Sequence, residues 1–161
     1  MSGRVSPRPA AAVAAVSAAV LAGVLGTLGA APPPEADLRV VRLDPDPAPP
    51  GGATTLHGFV ANAGPDRTAS PFTVLIELPA GFTFEGPFFP ASCAPGAAGH
   101  LLRCGFPAGL GPGRTATVLA PVRVAAQVPP GTRAEGHLLV VGADDRHPAD
   151  DRTPFTLSVT G

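Results

Sequence analysis

Arg114 to Val124 alternates without a break. Ala116, Val118, Ala120, Val122 and Val124 fall on one side, and Thr115, Thr117, Leu119 and Arg123 on the other. A period of two is what a half-buried antiparallel strand requires, and an amphipathic helix over the same residues would need a period near 3.6. The pattern recurs. Val74, Ile76 and Leu78 alternate with Thr73, Leu75 and Glu77; Ala134, Gly136, Leu138 and Val140 alternate with Glu135, His137, Leu139 and Val141; Phe155, Leu157 and Val159 alternate with Thr156, Ser158 and Thr160. Shorter runs at Leu38–Leu43, Thr54–Ala61, Phe82–Glu85 and Leu101–Cys104 are bounded by Gly, Pro, Asn or Asp. The expected fold is all-β, an immunoglobulin-like antiparallel β-sandwich of about seven strands. Pro121 lacks the N–H of a ladder donor, so its strand is expected at a sheet edge or with a bulge there.

The first thirty residues read differently. Arg4 and Arg8 precede an uncharged run, Ala10 to Ala31, that ends in Gly29-Ala30-Ala31 and Pro32-Pro33-Pro34. That is the pattern of a secretory signal peptide with cleavage near Gly29 or Ala30. The run is also long enough to span a bilayer, so an uncleaved signal anchor is the alternative, and contact with a membrane is expected only in that case. No Cys follows the run, which argues against a lipoprotein. The expected organisation is therefore a leader over residues 1–31, a Pro-rich linker over 32–37 and the sandwich over 38–161. The chain is placed outside the cell, free or tethered by its N-terminus. All eleven basic residues are Arg, against twelve acidic ones, so losing Arg4 and Arg8 leaves a mildly acidic surface. No basic stripe interleaved with aromatics is present, which excludes nucleic acid on electrostatic grounds.

Cys93 and Cys104 are the only cysteines. In an oxidising compartment they read as one local disulfide that pins a loop. His100 lies between them, but two Cys and one His make a poor zinc site.

Three stretches could carry function. Asn62-Ala63-Gly64-Pro65-Asp66 is turn chemistry: Gly64 can take positive φ, Pro65 fixes the next φ, and Asn62 and Asp66 can bond their own backbone. It reads as a corner between two strands. Gly142 to Phe155 gathers Asp144, Asp145, Asp150 and Asp151 with Arg146, His147 and Arg152. These carboxylates could offer oxygens to Ca²⁺, but the spacing is not that of a calcium loop. A solvated hairpin with weak local ion pairs is the plainer reading. Phe88-Phe89-Pro90 follows a Gly86-Pro87 turn and precedes Cys93. Phe82 and Phe84 alternate inward, and adjacent aromatics cannot both point inward from one strand. One of Phe88 and Phe89 is therefore expected on the surface of a pinned loop, as a contact residue.

No enzyme is expected. Ser70, Ser92 and Ser158 stand in no Gly-x-Ser-x-Gly elbow. The glycines cluster with Pro in turns rather than in a phosphate loop. Without Trp or Tyr, a carboxylate pair would lack the usual sugar-stacking surface. His57 and His137 read as surface histidines on outer strand faces, and no cofactor is implied.

Several of these residues carry a family resemblance. A strand leads into Asn-x-Gly-Pro at Asn62, Gly64 and Pro65. A second strand ends Leu-Pro-Ala-Gly-Phe-x-Phe, Leu78 to Phe84. Cys93 and Cys104 follow, and Leu-Gly-Pro-Gly-Arg-Thr-Ala-Thr-Val, Leu110 to Val118, opens the clearest strand. Over about residues 38–160 the chain resembles the bacterial conserved-repeat domain, an immunoglobulin-like family of unknown function. That family occurs in exported and cell-wall proteins, often in tandem and often in actinobacteria. The resemblance implies a spacer or adhesive module with no catalytic residues to carry over. Ile76-Glu77 stand where an Asp is usual, and one copy is present.

The functional expectation is an exported, monomeric, non-enzymatic module with a structural, adhesive or protein-binding role at the cell envelope. Phe88 and Phe89 are its contact residues, and its partner is an unidentified protein or envelope component. The alternative is a small secreted calcium-binding or inhibitory protein using the Asp144–Asp151 loop.

Overall fold

The computed structural model describes Gly3 and residues 33–161; apart from Gly3, the expected leader lies outside the described residues. Nine strands and no helix are present among them: β1 (Leu38–Val41), β2 (Ala53–Asn62), β3 (Phe72–Glu77), β4 (Phe82–Phe84), β5 (Cys93–Pro95), β6 (Leu101–Phe106), β7 (Thr115–Val124), β8 (Arg133–Gly142) and β9 (Arg152–Ser158). They form two sheets, ordered β1-β2-β7-β4 and β5-β6-β3-β8-β9. Every neighbouring pair of strands is antiparallel. This is the expected β-sandwich. The expected count falls short of nine, because β5 has only three residues and no apolar alternation to announce it.

The alternating residues place the core. Leu56, Val60, Phe82, Val118, Val122 and Val124 face inward from one sheet; Val74, Ile76, Leu102, Leu138, Val140 and Leu157 face inward from the other. Each such side chain contributes about 1.5–3 kcal/mol on burial. The sheets come close together at Gly58 of β2. A Cβ there would lie 2.7 Å from Leu138 Cδ1 and 3.7 Å from Ile76 Cδ1, so the absent side chain sets the approach.

Pro121 lies neither on an edge strand nor at a bulge in the β2 pairing, contrary to expectation: β7 lies between β2 and β4, and Thr55 stands opposite Pro121 in unbroken register. The pairing explains the tolerance. Asn62 N–H donates to the Arg114 carbonyl and Val124 N–H to the Gly52 carbonyl. Even-numbered residues of β7 therefore bond β2, and odd-numbered ones turn their polar groups to the other side. The missing Pro121 N–H faces that other side, just beyond the end of β4. There the Pro121 carbonyl accepts a bond from Glu85 N–H at 3.0 Å.

Candidate binding surface

Between β4 and β5 the chain changes sheets, and the Phe pair sits on this crossing. β4 pairs with the upper part of β7, Phe82 opposite Val124 and Phe84 opposite Val122. After the Gly86-Pro87 turn the chain returns to β7. Phe89 N–H donates to the Leu119 carbonyl at 3.0 Å, and Leu119 N–H donates back at 2.8 Å. The chain then leaves at Pro90, whose carbonyl accepts from Cys93 N–H, and enters β5 in the other sheet. Cys93 lies directly opposite Cys104 of β6, with their sulfurs 2.05 Å apart. The crossing is held at both ends, by a two-bond bridge to β7 and by the disulfide.

The two rings point in opposite senses, as adjacent residues must. Phe88 packs against the core and meets Phe84 edge-on, centroids 6.4 Å apart at 84°. Phe89 is 57% exposed, the most exposed of the large apolar side chains named among the described residues.

Below Phe89 the outer edge of β7 is open. Thr115 and Thr117 carry the same parity as Leu119, so their N–H and C=O groups face away from β2. No described segment pairs with them there. Instead they border a groove whose other walls are Phe89, Pro90, Phe106 and the Pro107–Leu110 loop, with Phe72 at its base. Phe106 stacks flat on Phe72 at 5.1 Å. The groove continues past Leu110 and Thr115 to Arg67 and Arg114. Both arginines are exposed, and neither has an acidic partner among the ion pairs of the described residues.

The Asn62–Asp66 corner holds the Leu110 loop that walls this groove. Asn62 is fully buried and every hydrogen-bonding group of its amide is used. Its Oδ1 accepts from Gly64 N–H at 3.0 Å and Asp37 N–H at 3.2 Å; its Nδ2 donates to the carbonyls of Asp66 at 2.7 Å and Leu110 at 2.9 Å. Thr68 Oγ1 accepts from the N–H groups of Gly109 and Leu110, and Arg67 donates to the Gly109 carbonyl. The corner is thus structural, as expected, but Gly64 serves in another way than expected. It has no positive φ; a Cβ there would lie 2.5 Å from the Glu35 carbonyl oxygen and 2.6 Å from Asp37 N. Close backbone approach demands the glycine.

The acidic loop between β8 and β9 is more than a solvated hairpin. Asp144 accepts from Ser70 N–H at 2.6 Å and Ser70 Oγ at 3.1 Å. Asp145 accepts from Leu38 N–H at 2.9 Å and His147 N–H at 2.8 Å. These carboxylates bind unpaired backbone donors at the start of β1 and before β3. Arg152 turns away from them and pairs with Glu77 at 3.3 Å. Burial first, then a shared hydrogen bond with Asp145 and the charges of Asp145, Asp150 and Asp37, push the Asp151 carboxyl up to about 7. Among the described residues no three His, Cys, Asp or Glu side chains are gathered to hold a metal. His100 is engaged elsewhere, its Nδ1 2.8 Å from the Phe82 carbonyl. Ser70 and Ser92 give their hydroxyl protons to Asp144 and to the Gly105 carbonyl. No hydrogen bond joins a serine to a histidine among the described residues. His57 lies exposed on β2 and His137 half-buried on β8, 3.3 Å from Glu135.

No family model matches the chain, and no curated protein matches it in sequence. Its fold is similar to solved structures. The major pilin subunit BcpA of Bacillus cereus superimposes with a TM-score of 0.54 at 9% identity, over 78% of this chain and 39% of that one. The cohesin CaCohA2 of Clostridium acetobutylicum gives 0.49 at 13% identity, over 80% and 93%. The collagen-binding domain of a Staphylococcus aureus adhesin gives 0.48 at 8% identity, over 77% and 97%. One similar structure is an enzyme, AvmM, which catalyses macrocyclization in alchivemycin A biosynthesis (TM-score 0.41, 11% identity, over 77% and 89%). The two antiparallel sheets, with the likeness to the pilin subunit, establish the immunoglobulin-like sandwich. The chain spans well under half of the pilin subunit.

Proposed function

We propose that this chain is an exported, non-enzymatic immunoglobulin-like module that binds a protein partner at the cell envelope. Its contact surface is the Phe89 side of the β4–β5 crossing. The single observation that carries the reading is Phe89 itself: a ring 57% exposed on a segment fixed by its bridge to Leu119 and by the Cys93–Cys104 disulfide. An exposed aromatic held in place loses little further entropy on binding, and such anchors dominate protein interfaces. The shared fold with a major pilin subunit agrees with a structural or binding role. Membership of the conserved-repeat family and removal of residues 1–31 as a signal peptide belong to the same proposal. The carboxylates of Asp144 and Asp145 are spent on backbone donors, which leaves the acidic loop a structural part.

The test is retention on the envelope of an exporting host. Wild-type protein and Phe89→Ala are expressed at equal levels, with His57→Ala as a control on the outer face of β2. Phe89→Ala should reduce the envelope-bound share about tenfold, the loss of about 1.4 kcal/mol, and His57→Ala should not. Equal retention of all three would remove this surface as the contact.

A further inference from the structure

From the edge of β7 below Phe89 we infer the chemistry of the partner, resting on the protein-binding reading above. The groove takes an extended, apolar peptide segment as an added antiparallel strand, with an acidic side chain at its C-terminal end.

The backbone sets the mode. On the outer edge of β7 the odd-numbered residues present their polar groups: Arg123 opposite Thr83, the Pro121 carbonyl to Glu85, and Leu119 to Phe89. The chain's own crossing segment fills this track down to Leu119 and then turns away at Pro90. Thr117 and Thr115 continue the same track unfilled. Exposed N–H and C=O groups in strand geometry recognise another strand and little else.

Direction follows from continuity. The crossing segment runs antiparallel to β7, so a guest strand of the same sense runs from Leu119 toward Arg114. Its C-terminal end then arrives at Arg67 and Arg114. These two cations have no acidic partner among the ion pairs of the described residues, on a chain whose acids outnumber its bases. Charge complementarity therefore places an Asp or Glu at that end of the guest. The walls between, Phe89, Phe106 and Leu110, are apolar, which selects apolar side chains for the middle.

The probe is acetyl-Ser-Val-Thr-Val-Asp-amide, added to isotope-labelled protein recovered from an exporting host. Amide shifts and hydrogen exchange are read by NMR. The expected result is a shift and slowed exchange at Thr115 and Thr117. Methylating alternate peptide nitrogens should abolish binding, and replacing the terminal Asp by Lys should weaken it at least about fivefold at low salt. Thr117→Pro should remove binding while leaving the β2 ladder whole, because this strand already carries Pro121 at the same parity. The double variant Arg67→Glu, Arg114→Glu keeps the edge and should lose only the preference for Asp. Undisturbed Thr115 and Thr117 amides at millimolar peptide would overturn the inference. So would equal binding of the methylated peptide, or self-association that protects this edge without peptide, which would assign it to a second copy. Loss of envelope retention in Phe89→Ala but not in Thr117→Pro would overturn strand addition and leave the Phe89 reading standing. Peptide binding with unchanged retention of Phe89→Ala would do the reverse.

Discussion

The amide of Asn62 donates to the carbonyl of Leu110, 48 residues away, at 2.9 Å. That bond ties the end of β2 to the loop that walls the groove, and it is one of four on a fully buried side chain. Asn62→Ala would leave several buried donors and acceptors unpaired. Urea unfolding should show a loss of about 3 kcal/mol, with faster amide exchange at Gly109 and Leu110. A loss under about 0.5 kcal/mol would mean that the network is dispensable.

Gly64→Ala meets backbone, not a flexible side chain, on two sides. It should cost about 2 kcal/mol, and the same urea experiment reads it. A neutral result would show that residues 35–37 can withdraw freely from the corner.

The alternation was legible because the core lies between two sheets and each strand has one face inward. Arg114–Val124, Thr73–Leu78, Ala134–Val141 and Phe155–Val159 all bury the face the sequence assigned. What could not be read is which strands touch. An interior place for Pro121 is not legible, because composition cannot say whether a given N–H faces a neighbour. The acidic loop reads as solvated in the sequence because its partners, Ser70 and Leu38, lie 74 and 107 residues away. That one ring of the Phe88-Phe89 pair turns out follows from neighbours pointing oppositely; which one turns in depends on the fold, where Phe88 packs on the core beside Phe84. Nothing in the sequence marks Thr115 and Thr117 as an open edge, since that depends on where the crossing segment leaves β7.

Asp151 gives the fold a pH signature. Its ordinary value is 3.8 and its folded value about 7, so the folded state binds the extra proton between them. Stability should therefore be highest below about pH 4 as far as this group is concerned, and should fall as pH rises through 7. Asp44 acts oppositely. Thr156 N–H, with Arg42 nearby, holds its carboxyl below the ordinary value, so its contribution is lost only in stronger acid. Thermal melts from pH 5 to pH 8 should show a falling Tm. Asp151→Asn should flatten that slope and raise Tm at pH 8. A wild-type slope that survives the substitution would assign the effect elsewhere.

The disulfide closes a short loop across β5 and β6. Reduction should cost about 3 kcal/mol or less and leave β2, β3, β7 and β8 folded. Far-UV circular dichroism with and without reductant checks this, and global unfolding would contradict a purely local pin.

Truncating the two rings separates packing from binding. Phe88→Ala should lower stability by about 2 kcal/mol, because it packs against the core beside Phe84. Phe89→Ala should change stability by less than about 0.5 kcal/mol. Equal destabilisation by both would make Phe89 a structural residue.

Every part of the proposed role requires the domain to work outside the cytoplasm. The most direct measurement is the N-terminal sequence and intact mass of the protein recovered from an exporting host, with and without reductant, together with the fraction that yields it. The account predicts an extracellular or envelope-bound chain that begins near Ala30 and gains the mass of two hydrogen atoms on reduction. A cytoplasmic chain with an intact N-terminus and free thiols at Cys93 and Cys104 would contradict it.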